Sequence, residues 1–373
     1  MKWVFWIAAA TIAYAYVGYA AWLWLRSRWS PRPVRRGTVE PAVSAVMVVR
    51  NEEAVIARKL ENLLTLDYPS GKMEVVVVSD GSSDSTAGIL KEFGATFRVR
   101  TLLKPESQGK ALGLNDAITL ASGEILLFTD ARQWIEPGAL RFLIENFADP
   151  AVGCASGELM LGDPASGETG KGMGLYWRIE KTIREMESAS GSVPGATGAI
   201  YCARRDLLEP LPAGTILDDV LLPMQAVRKG ARVVFDSRAR AWDSPDLGGS
   251  REFSRKVRTL SGNYQLVQLA PWLLSSSNPI RFEFVSHKLS RLAVPFALVA
   301  LLVASVFLAE PWYRAALVAQ VTFYALSVVA MVGVKIGPLS RIADAARTFV
   351  VLNSAALVAF VNFVTGRKAV WVR

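Results

Sequence analysis

The sequence predicts an α/β domain with a mixed, mostly parallel sheet and helices on both faces, set between apolar segments that suit transmembrane and interfacial helices. Three observations predict it. From about Pro41 to about Gly249, short apolar runs alternate with helix-like stretches, the pattern of strands joined by crossover helices. The runs are rich in Val, Ile and Leu and lack a strict apolar–polar alternation, as strands covered on both faces do. Two of them end abruptly in an acid: Val75-Val76-Val77-Val78 runs into Ser79-Asp80-Gly81, and Ile125-Leu126-Leu127-Phe128 into Thr129-Asp130. Ligands of open α/β sheets bind at the carboxyl ends of strands. Either acid alone reads equally well as a cap of the helix that follows. Two on one sheet are placed to hold a metal ion together with the nucleotide it travels with.

The elements follow in order. Val43–Val49 reads as a strand, Glu52–Leu66 as a helix, Met73–Ser79 as a strand and Ser85–Phe93 as a helix. Gln108–Ala121 is helical, Ile125–Thr129 a strand and Pro137–Phe147 a helix. No internal repeat or long low-complexity tract interrupts them.

Hydrophobic residues make up 51% of the 373-residue chain, concentrated at its two ends. Trp3 to Leu25 carries no charge and is long enough to cross a hydrocarbon core of about 30 Å. A signal peptide is the alternative, but its apolar core is shorter, about 7–15 residues. Arg26, Arg28, Arg32, Arg35 and Arg36 follow, and the positive-inside rule puts them, with the domain behind them, on the cytoplasmic side. Part of the net charge of +9 is this arm. Beside a membrane span, such charge points to anionic lipid headgroups, and no nucleic-acid motif accompanies it.

Leu292–Leu308 and Ala315–Val334 read as two further spans joined by a hairpin at Glu310–Arg314. Thr348–Val364 contains Asn353, Ser354 and Asn362, with Arg341 and Arg347 before it and Arg367, Lys368 and Arg373 after. A third crossing and an interfacial helix are both open there. Arg251–Arg291 mixes basic, aromatic and leucine residues, which suits either amphipathic helices on the membrane or a basic helix packed on the domain. The expected layout is an anchor at 1–25, a basic arm at 26–40, the α/β domain at 41–249, interfacial helices at 250–290 and a membrane region at 291–373, whose segment 347–365 is the undecided one. The location this implies is the cell membrane, crossed several times.

The chemistry must come from acids. The single histidine, His287, lies in the membrane-proximal stretch, so a Ser-His or Cys-His nucleophile is not expected in the domain. Two cysteines, Cys154 and Cys202, indicate no disulfide framework. Asp80-Gly81-Ser82-Ser83-Asp84-Ser85-Thr86 follows a strand and opens a helix, but is neither a dinucleotide fingerprint nor a P-loop. Its acid can accept from a base N–H or a ribose hydroxyl. Glu52, in Arg50-Asn51-Glu52-Glu53, reads either as a ribose ligand or as a first-turn helix acid. Lys110, in Gln108-Gly109-Lys110-Ala111, faces a phosphate or solvent. Leu217-Asp218-Asp219-Val220 sets two acids side by side among apolar neighbours, where one carboxyl can be tuned toward general-base duty.

Taken in order, these motifs resemble the membrane-embedded family-2 glycosyltransferases of GT-A fold, the branch of chitooligosaccharide, hyaluronan and poly-N-acetylglucosamine synthases. The resemblance covers roughly residues 41–290 and includes Gly195-Ala196-Thr197-Gly198-Ala199. It implies an inverting transferase that uses a nucleotide-sugar donor, UDP-linked, and Mg²⁺ or Mn²⁺. The acceptor is a glycan or a lipid-linked sugar of the cell surface or an exopolysaccharide. By resemblance Asp80 contacts the base and Glu52 the uridine end, and Asp130 is the metal-binding acid of the D-x-D element. Asp219 is the base of the T/E-D element with Asp218 beside it. Gly195, Thr197 and Gly198 form the acceptor-side loop, while Arg255 and Arg258 match Q-x-x-R-W, with Arg258 on the leaving diphosphate.

Two departures stand out. Asp130-Ala131-Arg132 carries a cation where D-x-D has its second acid. Arg255 replaces the Gln and Thr259 the Trp of Q-x-x-R-W, which weakens the case for a polymerase. A processive synthase and a nucleotide-binding scaffold without catalysis are the alternatives to single transfer.

Overall fold

The computed structural model describes residues 1–96, 98–162, 175–243, 249–334 and 337–367. The chain divides into two compact units that interleave along the sequence. One comprises Leu23–Pro245 with Leu269–Arg281, and the other Met1–Trp22, Asp246–Gln268 and Phe282–Arg373. The block expected at 250–290 is thus split between the two.

The first unit is built on one sheet. Its strands among the described residues are β1 (Val43–Val49), β2 (Met73–Asp80), β3 (Val99–Lys104), β4 (Ile125–Phe128), β5 (Trp134–Ile135), β6 (Val152–Leu161), β7 (Tyr201–Arg204) and β8 (Arg232–Asp243). They lie in the order β3-β2-β1-β4-β7-β6-β8-β5. β1 pairs in parallel with both β2 and β4, β2 with β3, and β6 with β8. The pairs of β7 with β4 and β6, and of β5 with β8, are antiparallel. The sheet is therefore mixed and mostly parallel, as expected.

All seven residues of β1 are buried, which is why the run carries no polar alternation. The chain leaves β1 toward β2 and β3, then returns to place β4 on the other side of β1. That reversal opens a crevice at the carboxyl ends of β1 and β4, where ligands of such sheets bind. Asp80 and Asp130 flank it, two interstrand spacings or about 10 Å apart at the backbone.

The unit's helices are α3 (Ile56–Leu64), α4 (Thr86–Thr96), α5 (Lys110–Leu120), α6 (Ala139–Glu145), α7 (Leu175–Ser190) and α8 (Asp218–Arg228). Ile56, Leu60 and Leu63 of α3 and Leu140, Leu143 and Ile144 of α6 share one apolar cluster with Ala45, Met47, Val75, Val77 and Leu127 of the sheet. At the bookkeeping value of about 25 cal/mol per Å² of apolar surface, burial of each such side chain contributes roughly 1.5–3 kcal/mol.

In the second unit, α1 (Lys2–Ala13) runs on through a π-helical turn at Tyr14–Gly18 into α2 (Tyr19–Trp29), whose residues from Leu23 onward belong to the first unit. α9 (Gly249–Leu269), α10 (Arg281–Phe284), α11 (Ser290–Phe307), α12 (Pro311–Met331) and α13 (Ser340–Val364) complete the helices, with a second π turn at Val285–Leu289 joining α10 to α11. Among the described residues four stretches are long and apolar enough to cross a membrane: Lys2–Trp29, Arg281–Phe307, Pro311–Met331 and Ser340–Val364. The last contains the segment left undecided above; Lys368 and Arg373, which bear on its placement, lie outside the described residues. Polar side chains tie these helices together. Tyr14 Oη meets Ser286 Oγ at 2.6 Å, Asn353 Nδ2 donates to Tyr16 Oη at 3.3 Å, and Gln320 Nε2 to the Leu298 carbonyl at 2.9 Å. Such bonds satisfy polar groups set among apolar side chains.

Candidate active site

Asp80 closes β2 and is buried. Its Oδ1 accepts from Gln108 N at 2.8 Å, and its Oδ2 from Ser107 Oγ at 2.7 Å and Gly109 N at 2.9 Å. Burial works against its charge, but these donors, with Lys104, outweigh burial and hold the carboxyl below the usual range. Asp80 thus shapes the loop that delivers Lys110 and keeps room for one further donor. Gly81 is required beside it. Its φ is +65°, and a Cβ there would stand 2.4 Å from Ser107 N.

The turn after β1 is laced to the turn after β2. Asn51, at φ +55°, accepts from Ser83 N at 2.7 Å; Glu52 N donates to Thr86 Oγ1 at 2.9 Å; Ser85 N donates to Glu53 Oε2 at 2.9 Å. Glu52 lies half-buried between them. Burial raises its carboxyl above the usual range; Arg132 opposes the rise, while Asp130 and Asp84 add to it.

Lys110 opens α5 and reaches across the crevice. Its Nζ stands 3.0 Å from Asp130 Oδ1 and 3.2 Å from Asp218 Oδ2. Burial opposes its charge, but Asp130 and Asp218, joined by Asp219, hold its pKa well above the ordinary lysine value. Lys110 is the cation that bridges Asp130 and Asp218.

Asp218 and Asp219 form the first turn of α8, where the helix dipole favours negative charge. The Asp218 side chain is 7% exposed and that of Asp130 43%. Gly198 N donates to Asp219 Oδ2 at 3.2 Å, and Ala196 N to the Asp219 carbonyl at 2.7 Å. Gly195 sits at φ +118° against Val220, and Thr197 N donates to Ser156 Oγ. A Cβ on Gly198 would lie 3.4 Å from Asp219 Oδ2 and 3.7 Å from Asp130 Oδ2, so this loop passes between the two acids' outer oxygens. The register explains the meeting. Tyr201, which begins β7, pairs with Phe128, so the loop before β7 arrives beside Thr129-Asp130.

The structure therefore brings together Asp130, Asp218, Asp219, Lys110, Gly195, Thr197 and Gly198, with Glu52 and Asp80 on the adjoining strand ends. Arg255 and Arg258 lie on α9, in the second unit. Arg132 is half exposed and reaches Asp243 Oδ2 at 4.0 Å.

Among the described residues no group of three or more His, Cys, Asp and Glu side chains could hold a metal alone. A divalent ion that arrives with a diphosphate needs only one or two protein carboxylates, its other ligands being phosphate oxygens and water. Asp130 fits that share: Oδ1 holds Lys110, while Oδ2 faces Gly198, where a Cβ would stand in ordinary contact at 3.7 Å.

Three side chains escaped the sequence reading. Lys59 and Asn62 are polar residues on the buried stripe of α3, among Ile56, Leu60 and Leu63. That anomaly was visible in the helical periodicity. Tyr201 is fully buried and stacks on Phe128 with centroids 4.6 Å apart. Nothing in its sequence context marks it.

A sheet of this order with acids at the strand ends around a crevice is an α/β domain of GT-A type. The mannosyltransferase PcManGT from Pyrobaculum calidifontis, solved in complex with GDP-Man and Mn²⁺, shares the fold with a TM-score of 0.73 at 23% identity, over 98% of this chain and 100% of that one. The family described as glycosyl transferase family 2 matches residues 44–211. β-Monoglucosyldiacylglycerol synthase of Trichormus variabilis is 29% identical over 186 residues, 48% of this chain and 40% of that protein. Poly-β-1,6-N-acetyl-D-glucosamine synthase of Staphylococcus epidermidis is 25% identical over 237 residues, 62% and 56% of the two chains. The match thus spans about half the length of these curated relatives.

Proposed function

We propose that the protein is a membrane-bound inverting glycosyltransferase that moves one sugar from a nucleoside diphosphate sugar to a lipid-linked or glycan acceptor at the membrane surface. The observation that carries it is the meeting of Asp130, Lys110, Asp218 and Asp219 with the 195–198 loop at the carboxyl ends of β1 and β4.

Asp219 is the general base. Gly198 N–H orients its carboxylate, which takes the acceptor proton. The acceptor oxygen attacks the anomeric carbon while the bond from that carbon to the diphosphate oxygen breaks. The proton goes to Asp219, and the electron pair leaves with the diphosphate. One displacement inverts the centre, so no enzyme nucleophile is needed. Lys110 places fixed positive charge beside the departing phosphates, and Glu52 and Asp80 border the nucleoside end. Asp130 would hold a Mg²⁺ or Mn²⁺ ion, which supplies Lewis-acid stabilisation of the leaving group. Arg258 of α9 is assigned to the diphosphate as well.

A UDP-sugar is the first donor to try, with GDP-mannose beside it because the full-length neighbour is in complex with GDP-Man. A membrane acceptor accords with the four spanning-length helices and with a relative named for a glucosyl diacylglycerol product. The basic arm at Arg26–Arg36 puts the domain on the cytoplasmic face. Thr259, standing where processive relatives have Trp, favours single transfer.

The test is transfer of radiolabelled sugar from UDP- and GDP-sugars to a membrane lipid extract by the purified full chain, with and without Mn²⁺. Discrete labelled lipid products are expected. A ladder of long saccharide chains would overturn single transfer. No product with any donor, and no nucleotide release, would overturn the enzyme reading.

A further inference from the structure

The turn that carries Asp130 is held from below by a buried lysine that the chemistry above does not use. Lys59, on the inner face of α3, is 2% exposed. Its Nζ donates to Thr129 Oγ1 at 2.9 Å and to the Gln133 carbonyl at 2.7 Å. The Thr129 hydroxyl, having accepted from Lys59, donates in turn to the Ala199 carbonyl at 2.8 Å. The bonds therefore run in one direction, from α3 through the strand end of β4 to the end of the 195–199 loop. One helical turn later, Asn62 Nδ2 donates to the Ile135 carbonyl at 2.8 Å, and Asn62 Oδ1 accepts from Ile135 N at 2.8 Å. Residues 129–135 are thus fastened at both ends to a single helix, with Asp130, Ala131 and Arg132 arched between.

This arrangement is a poor choice for stability alone. Among the described residues no carboxylate pairs with Lys59, and it lies in a stripe shared with Ile56, Leu60 and Leu63. A buried cation whose nearby counter-charge, Asp130, makes no direct pair with it is costly, and replacing buried ionic groups with apolar side chains of similar volume is often neutral or stabilising. What the ammonium achieves that a methionine cannot is donation to two oxygens on opposite sides of the turn at once.

We propose that Lys59 is the positioning residue of the Asp130 turn. Its ammonium sets the distance between the acid offered to the donor and the 195–199 loop that orients Asp219, through the shared hydroxyl of Thr129. The assignment of a role to that distance rests on the proposed function; the tie itself does not. Groups that orient metal-binding side chains without touching the metal typically alter affinity or rate by about 10–100-fold when removed.

The experiment compares Lys59→Met, Thr129→Val and Thr129→Ser in the full-length protein by amide hydrogen exchange and by sugar transfer. Lys59→Met and Thr129→Val are expected to speed exchange across 129–135 and 195–199 while β1 and β2 stay protected. Both should lower kcat by about 10–100-fold with the donor KM within about threefold of wild type, as expected when outer groups orient the reacting ones. Thr129→Ser keeps the hydroxyl and should behave as wild type. The double variant Lys59→Met/Thr129→Val should lose little more than either single change. Unchanged exchange in 129–135 for both single variants overturns the tie. Faster exchange with full activity overturns the positioning role. Wild type that transfers no sugar, with the exchange pattern as expected, would leave the tie standing and bring down the functional reading instead.

Discussion

Lys110 Nζ lies 3.0 Å from Asp130 Oδ1, so the first residue of α5 neutralises the last acid of the β4 edge. A cation at a helix N-terminus opposes the helix dipole. Its placement there is sustained by the acids it faces, of which Asp218 is the more buried. Lys110→Met should leave two neighbouring carboxylates uncompensated. The Asp130 arm is too exposed to contribute more than about 1 kcal/mol, and the buried Asp218 arm carries most of the loss. We expect about 1–3 kcal/mol of destabilisation and a fall in transfer of about 100-fold. Lys110→Arg should recover the stability better than the rate, because a planar fork cannot reproduce a point charge between two carboxylates. Thermal unfolding and initial rates check both, and an unaltered rate in Lys110→Met would remove Lys110 from the site.

Asp219→Asn preserves an oxygen for the Gly198 N–H and removes the basic site. The fold should survive with its unfolding midpoint nearly unchanged. Sugar transfer should fall by about 10²–10⁴-fold, the usual worth of general-base catalysis. Nucleotide binding, followed by calorimetry with UDP or GDP, should persist. Asp218→Asn should instead weaken the hold on Lys110 and lose stability. If Asp218→Asn abolishes turnover and Asp219→Asn does not, the base is Asp218.

Arg132 stands two residues beyond Asp130 and half exposed, where the resembled family has an acid. The protein's share of a divalent ion is then one carboxylate, so the ion should bind weakly without nucleotide. Chelation with EDTA should stop transfer, and Mn²⁺ should restore it. Arg132→Asp should tighten Mn²⁺ in the nucleotide complex by about tenfold, equivalent to 1.4 kcal/mol. Asp130→Asn should abolish the response to metal. Electron paramagnetic resonance of free Mn²⁺ during titration measures each affinity without relying on turnover.

The strands that line the crevice were legible because their burial writes itself into composition. Val43–Val49 is found at its expected bounds, and Met73–Ser79 extends by one residue to Asp80. β3 and β5 to β8 drew no expectation. β3 carries Arg100, Thr101 and Lys104 at the sheet edge, and Gly153, Ser156, Gly157 and Glu158 interrupt the apolar run of β6. At the site, the acids announced themselves by position at strand ends and helix starts. What no local pattern could give was the pairing of Lys110 with Asp130 and Asp218, since the three lie on separate elements far apart in sequence. Lys59 was readable as an anomaly, a charged residue on an apolar stripe, but its partners come from 70 and 74 residues away.

Lys59 also gives the protein a distinctive dependence on pH. Burial lowers its pKa to about 7 against the neighbouring charge of Asp130, from 10.5 in the unfolded chain. The unfolded chain therefore holds a proton between pH 7 and 10.5 that the folded chain gives up, so this group makes stability rise with pH across that window. Its cost is fully present below pH 7 and relieved toward pH 10.5. At 1.36 kcal/mol per pKa unit, the difference amounts to roughly 5 kcal/mol as an upper figure. Lys59→Met removes the titration but leaves Thr129 Oγ1 and the Gln133 carbonyl without their donor, which returns about 1–3 kcal/mol. The variant should equal or exceed wild type in unfolding midpoint at pH 6, and its advantage should shrink steadily as pH climbs from 7 to 10. Parallel stability curves for the two proteins over that range would show that Lys59 keeps its proton throughout.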